Sequence, residues 1–255
     1  MGNFKLEICA GSVASCIAAE EGGADRIELC DNLLEGGTTP SYATIAVARE
    51  KVKIELYPII RPRGGDFLYS DLEFEVMKKD IELCKQLGCN GVVIGILTAD
   101  GRVDKQRCKE LVDLAWPMGV TFHRAFDMTD NPFEALEDII AIGCERILTS
   151  GARNTAVEGA SLLKDLVIRA DNRIILMAGS GVRASNIAAL IKDTGVTEFH
   201  TSAKAYEDSH MVYRNPNVSM GGIPGVPEYG ISQTQKSEVL RIRELAAQAL
   251  EENGQ

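Results

Sequence analysis

The sequence predicts an α/β chain, a closed (β/α)8 TIM barrel forming one domain over residues 1–255. The first observation is a repeat. Gly23-Ala24-Asp25-Arg26-Ile27-Glu28-Leu29-Cys30, Gly88-Cys89-Asn90-Gly91-Val92-Val93-Ile94-Gly95, Gly143-Cys144-Glu145-Arg146-Ile147-Leu148-Thr149-Ser150 and Gly195-Val196-Thr197-Glu198-Phe199-His200-Thr201-Ser202 share one pattern. Each reads as a helix-ending Gly, a small apolar residue, two mostly polar residues and a short apolar strand. The leading glycines are 65, 55 and 52 residues apart. One strand–helix unit takes about 25–30 residues, so each step spans two units and the chain holds eight. The second observation is length: 255 residues sit near the roughly 250 of one such barrel. Third, no linker, composition break or low-complexity segment divides the chain.

The elements follow in order. Phe4 to Cys9 reads as a strand, and a helix from about Ser12 to Glu21 ends at Gly22-Gly23. Asp25 to Cys30 is the second strand. A long Gly-rich loop, Asp31 to Pro40, leads to a helix over Ser41 to Lys51. The third strand, Lys53 to Ile60, runs into Arg61-Pro62-Arg63-Gly64-Gly65-Asp66. Ser70 or Asp71 caps a helix reaching about Leu87. Gly91 to Leu97 is continuously apolar, as a strand buried on both faces should be. A helix from Asp104 to Trp116 precedes the fifth strand, Val120 to Phe126, and Asn131-Pro132 opens a helix to Ile142. The sixth strand is Arg146 to Thr149, followed by a helix over about Val157 to Arg169. The seventh is Arg173 to Ala178, followed by a short helix from Ala184 or Ser185 to about Lys192. The eighth is Glu198 to Ser202. Residues 204–231 read as a long irregular loop with Pro216, Pro224 and Pro227. A loop this long beside a barrel mouth suits a lid, a binding loop or an oligomer contact. The last helix, about residues 233–251, carries Val239, Ile242, Ala246 and Ala249 on one face for barrel packing.

Composition narrows the function. A net charge of −10 repels phosphate backbones, so nucleic acid is not an expected partner. No apolar run approaches membrane length, and no secretory signal is expected at a start that carries Glu7 in its first apolar segment. The seven cysteines are scattered and lack C-x-x-C pairs. That argues against a disulfide framework and for a reducing, cytoplasmic location.

In this fold the active site lies at the C-terminal ends of the strands. The first two strands end in Glu7-Ile8-Cys9 and Glu28-Leu29-Cys30. Side chains alternate along a strand, so the aliphatic residues should face the helices and Glu and Cys the barrel interior. Cys9 and Cys30 then lie side by side at the rim, with Glu7 and Glu28 one layer below. Two adjacent thiolates can hold Cu(I); ordinary buried cysteines are the alternative. Arg61 and Arg63 follow the third strand on one face. They suit a carboxylate or phosphate ligand, or a salt bridge to a barrel carboxylate such as Glu28. His123 and Arg124 lie toward the C-terminal end of the fifth strand, with Asp127 just beyond, and Glu198, His200 and Ser202 share a face of the eighth. Two of the chain's three histidines thus sit near strand C-termini, which makes His123, His200 and Glu28 the acid–base candidates. Gly179-Ser180-Gly181 offers backbone N–H groups near a helix start, an anion site or a plain tight turn. A Schiff-base aldolase is not supported, because Lys204 is the one lysine near the C-terminal ends of the later strands.

The chain resembles the CutC family of copper homeostasis proteins. The blocks that carry the resemblance are Ala24 to Cys30, Glu35-Gly36-Gly37-Thr38-Thr39-Pro40-Ser41, Ile60-Arg61-Pro62-Arg63-Gly64-Gly65-Asp66-Phe67-Leu68-Tyr69-Ser70, Thr121 to Asp127, Arg146 to Gly151 and Glu198 to Ala203. Ser180 stands where relatives often carry Gly, and the segment from about Gly222 resembles the family weakly. The resemblance implies a cytosolic TIM barrel, often a homo-oligomer, with copper handling as its role and Cys9 and Cys30 as Cu(I) ligands. Two expectations therefore stand. One is a Cu(I)-binding copper homeostasis protein. The other is an enzyme acting on a small anionic metabolite, phosphorylated or not, with Arg61, Arg63, Arg124, Gly179, Ser180, Gly181 and Ser202 as anion contacts.

Overall fold

A computed structural model describes residues 4–221 and 225–253. Eight parallel strands build the barrel: β1 Lys5–Ala10, β2 Arg26–Leu29, β3 Glu55–Pro58, β4 Gly91–Ile94, β5 Gly119–Phe122, β6 Arg146–Thr149, β7 Ile175–Ala178 and β8 Glu198–Thr201. The helices are α1 Val13–Glu21, α2 Tyr42–Lys51, α3 Asp71–Gln86, α4 Lys105–Ala115, α5 Pro132–Ile142, α6 Ala160–Ala170, α7 Ile187–Thr194 and α8 Lys236–Asn253. β1 pairs with both β2 and β8, and the order continues round to β4. β3 and β4 meet through the Ile59–Val93 bridge and the Ile60 N–H bond to the Val93 carbonyl at 2.8 Å. The predicted TIM barrel is the fold found.

The repeat has a backbone cause. Gly23, Gly88, Gly143 and Gly195 all adopt positive φ, between 73° and 92°, just past a helix. Each turns the chain from helix into strand through a conformation that a side chain disfavours. Helix starts are equally local. Ser12, Ser41, Ser70, Asp104 and Asn131 accept backbone N–H groups at the N-termini of α1 to α5. At α3 it is Ser70, not Asp71, that caps, and Glu73 completes a capping box with it.

Alternation sorts the strand residues as expected. Leu6, Ile8, Ala10, Ile27 and Leu29 join the large core cluster that the helices cover. A smaller cluster inside the barrel holds Cys30, Tyr57, Ile59 and Val93, with Cys9 against it. The Tyr57 ring sits across the starts of β4 and β5. A Cβ on Gly91 would come within 2.1 Å of it, and one on Gly119 within 2.4 Å of its hydroxyl. Those two strands begin with Gly because an aromatic ring fills the space.

Several boundaries move. The fifth strand stops at Phe122 rather than Phe126, and Arg124–Met128 form a 3-10 turn with His123 at its N-cap. α6 starts at Ala160 rather than Val157, and α7 at Ile187 rather than Ala184 or Ser185. The stretch read as an irregular loop begins and ends in strands. β9 (Lys204–Asp208) and β10 (Gly230–Thr234) pair antiparallel, from Lys204↔Thr234 to Asp208↔Gly230. Sparse hydrophobic patterning hides them, since every β9 residue is exposed. Residues 222–224 of that stretch, Pro224 among them, lie outside the described residues. The final helix starts at Lys236 and buries Val239, Ile242, Ala246 and Ala249, the predicted stripe.

Candidate functional site: a thiol pair over a buried charge network

The base of the site is ionic. Arg26, fully buried, pairs with Glu7 and Glu198 inside the barrel and reaches Glu55 at 3.3 Å. Arg146 pairs with Glu198 at 3.1 Å and Glu145 at 3.2 Å. Both guanidinium groups flank the Tyr57 ring, at 5.3 and 5.5 Å from its centroid. Charges this deep are tolerable only because they are mutually paired and hydrogen-bonded. Arg26 and Arg146 were not singled out in the sequence. The signal was there, since alternation that turns Glu28 inward also turns Arg26 inward, and Arg recurs at that place in the repeat.

One layer up, the network becomes titratable. Glu7 carries its other oxygen to His200 Nδ1 at 2.7 Å. Burial opposes the charge of Glu7, but Arg26 and His200 outweigh it and hold the carboxyl down at about 2. His200 Nε2 lies 3.7 Å from Glu28 Oε2. Burial works against the imidazolium, yet Glu28, the Cys9 sulfur and Glu7 together raise its pKa well above the ordinary histidine value.

Cys9 and Cys30 come together as the alternation requires, with sulfurs 3.8 Å apart. The strand register differs from the expected one: Cys9 is level with Glu28, and Cys30 stands one step further out. Glu28 is therefore beside the sulfurs, not a layer below them, and the Cys30 thiol faces its Oε2 at 3.3 Å. The two thiols divide the charge. A hydrogen bond from Cys30, against the cost of burial, holds Cys9 well below the usual thiol range, with His200 assisting, while Cys30 is pushed up. Burial and the neighbouring Cys9 charge push Glu28 up to about 8. Among the described residues, Cys9, Glu28 and Cys30 form the one cluster whose donor atoms lie within 4.8 Å of one another.

Above the sulfurs opens a cavity of about 870 Å3, lined in part by Cys9, Glu28, Arg61, His123, Arg124 and His200. Ser180, Gly181 and Ser202 line it as well, with Lys204 and Ala205 at the start of β9. Arg61 is buried, and its NH1 and NH2 groups donate to the Glu35, Gly37 and Gly65 carbonyls at 2.7–2.8 Å. No bond to Glu28 forms. Arg63 is not brought to the cavity. β3 ends at Pro58, so alternation no longer governs residues beyond it, and Arg63 turns outward to Asp66 and Glu73. Arg124 binds Asp127 at 2.8 Å and Ser150 at 3.0 Å. The Gly179-Ser180-Gly181 turn places Ser180 and Gly181 at positive φ, with the Ser180 hydroxyl on the Asn154 carbonyl. Gly179 itself is not a cavity residue; a Cβ there would strike Leu148.

Comparison with known proteins agrees with this architecture. The CutC family model matches residues 4–205. A family protein CutC from Chromobacterium violaceum is 57% identical over 239 residues, covering 94% of this chain and 96% of its own. The human copper homeostasis protein cutC homolog is 47% identical over 247 residues, covering 97% and 90%. Among solved structures, a copper homeostasis protein CutC from Streptococcus agalactiae superposes with a TM-score of 0.74 at 36% identity, over 78% of this chain and 98% of that one. A thiamine phosphate pyrophosphorylase from Pyrococcus furiosus, at TM-score 0.60 and 14% identity, shares the fold alone. With the family model matching residues 4–205 and these identities over most of its length, the chain belongs to the CutC family.

Proposed function

We propose that this protein takes part in copper homeostasis by holding Cu(I) as cargo between Cys9 and Cys30. The observation that carries the reading is the pair of sulfurs 3.8 Å apart at the floor of an open cavity. That separation is less than twice a metal–thiolate bond of about 2.3 Å, so one ion can touch both. The donor chemistry fits a soft monovalent ion: two sulfurs, with the Glu28 carboxyl as a third and harder donor. Cys9, already disposed to be a thiolate, supplies a ligand with little proton cost, and Cys30 loses its proton to make room for the ion. His200 and the Glu7–Arg26 pair beneath it fix the electrostatics of the sulfurs.

The same reading places the protein in a reducing, cytoplasmic setting, where all seven cysteines stay free. It also takes the exposed apolar side chains of the β9–β10 arm, Met211, Val212 and Tyr213 among them, as the contact that makes a homo-oligomer. Anaerobic Cu(I) titration against a competing chromophoric chelator tests the central claim. Wild type should retain one equivalent, and a Cys9→Ser, Cys30→Ser double variant none. Equal retention in both would defeat it.

A further inference from the structure

Copper leaves most of the cavity unexplained. A space of about 870 Å3 is far larger than one ion, and its lining includes Arg61, Phe67 and His123 besides Cys9 and Glu28. Three buried side-chain polar atoms lack any hydrogen-bond partner among the described residues: Arg61 Nε, Tyr69 Oη and His123 Nε2. Two of them belong to residues that line this cavity, Arg61 and His123. The His123 ring packs 5.0 Å from Phe67, and the Arg61 guanidinium lies 5.1 Å from the same ring. Unpartnered buried polar groups are rare and costly, and two flanking one ring call for a missing partner.

What is missing can be read from what these atoms offer. His123 Nδ1 accepts the Ala125 N–H at 3.1 Å. In the neutral ring the proton therefore sits on Nε2, which becomes a donor with nothing to donate to. Burial and the nearby Arg61 charge hold His123 down at about 3, so the ring is neutral throughout the physiological range. Arg61 Nε is also a donor. Its NH1 and NH2 groups meet neutral carbonyls only, and among the described residues no carboxylate lies within 4.0 Å of it. A guanidinium that is 4% exposed thus faces the cavity without a counter-charge. The wall presents donors and an uncompensated positive charge, so its complement is a group rich in acceptors and negatively charged. Leu33, Met128 and Leu148 add apolar surface for a carbon skeleton.

We propose that the barrel mouth binds a small organic oxyanion, a carboxylate or a phosphate ester, with an oxygen accepting from His123 Nε2 and the negative charge held against Arg61. The ligand's remaining atoms lie toward the thiol layer, in contact with the cavity that leads to Cys9 and His200. Binding needs no metal, so copper-free protein is the material for the test.

Calorimetric titration of metal-free full-length protein with glycerol 3-phosphate and, separately, succinate should show saturable binding of at least one at a single site. The probe that binds tells phosphate from carboxylate recognition. His123→Phe keeps the ring and removes the donor, and it should weaken that binding about tenfold, the worth of one hydrogen bond to a charged group. In wild type the His123 Nε2–H proton resonance should move downfield in step with saturation, a readout that stands even where the variant folds poorly. Absence of saturable binding by both probes overturns the proposal. So does a His123→Phe protein that binds as wild type does, or an Nε2–H resonance that stays still at saturation.

Discussion

His200 Nδ1 and Glu7 Oε1 lie 2.7 Å apart inside the barrel, while the second oxygen of the same carboxylate takes the Arg26 guanidinium. One buried carboxylate thus joins the structural charges below to the titratable groups above. Glu7→Gln removes the charge that both partners share. Breaking a buried pair this way costs about 3–5 kcal/mol, read as a lower midpoint in urea unfolding. The variant should also raise the Cys9 thiol pKa, followed by thiolate ultraviolet absorbance, because His200 loses its support for the imidazolium. The sign of the acid dependence follows. Glu7 is held at about 2 against an ordinary 4.5, so its contribution is full above pH 4.5 and lost as pH falls through 2. The acid limb of the stability curve should be flatter in Glu7→Gln.

Glu28 behaves in the opposite sense. Burial and the Cys9 charge raise it from 4.5 to about 8, so the folded state binds the proton more tightly than the unfolded chain does. Its contribution is full below pH 4.5 and declines as pH rises through 8. Glu28→Gln, which mimics the protonated form, should match wild type near pH 4, below the unfolded-state value, and exceed it near pH 9 by on the order of a few kcal/mol. Denaturant melts at the two pH values check this. A variant less stable than wild type at the alkaline value contradicts the assignment of a protonated Glu28.

Cys9 should be the reactive thiol of the chain. It alone among the seven cysteines is half-buried rather than buried, and hydrogen bonding from Cys30, with His200, favours its thiolate. Limited iodoacetamide treatment near about pH 6.5, where an ordinary thiol reacts slowly, should give one adduct, mapped to Cys9 by mass spectrometry. Bound Cu(I) should protect it. Adducts spread evenly across Cys9, Cys16 and Cys108 would show that no such polarisation exists.

Much of this was legible in the residues themselves. Strand alternation carried the inward placement of Cys9, Cys30, Glu28 and His200, because within a strand the chain has no freedom to do otherwise. Legibility stopped where strands stop. Arg63 sits past the end of β3, where the backbone turns and residue parity means nothing. Register was the other gap. The barrel's shear sets Cys9 beside Glu28, a relation between strands that no single segment encodes. The buried Arg26 and Arg146 escaped because basic residues are read as surface by default, and only the match with Glu7 and Glu198 makes their burial sensible.

Asp127 gives the last prediction, because it organises one side of the cavity without facing its chemistry. Its carboxylate accepts the backbone N–H groups of Ser150 and Ala152 at 3.1 Å, the Ser150 hydroxyl at 2.9 Å and the Thr149 hydroxyl. It also binds Arg124 at 2.8 Å, holding that guanidinium against the rim. The loop after β6 therefore folds around one anion. Asp127→Ala leaves those N–H groups unpaired and sets Arg124 loose. Unsatisfied buried donors cost about 1–3 kcal/mol each, so the variant should lose a comparable amount of unfolding free energy. The loss should be local as well as global, and hydrogen exchange should speed up selectively at Ser150, Gly151 and Ala152. Asp127→Asn keeps one acceptor oxygen and should recover part of the protection. If exchange in that loop is unchanged in Asp127→Ala, the carboxylate is not what shapes it.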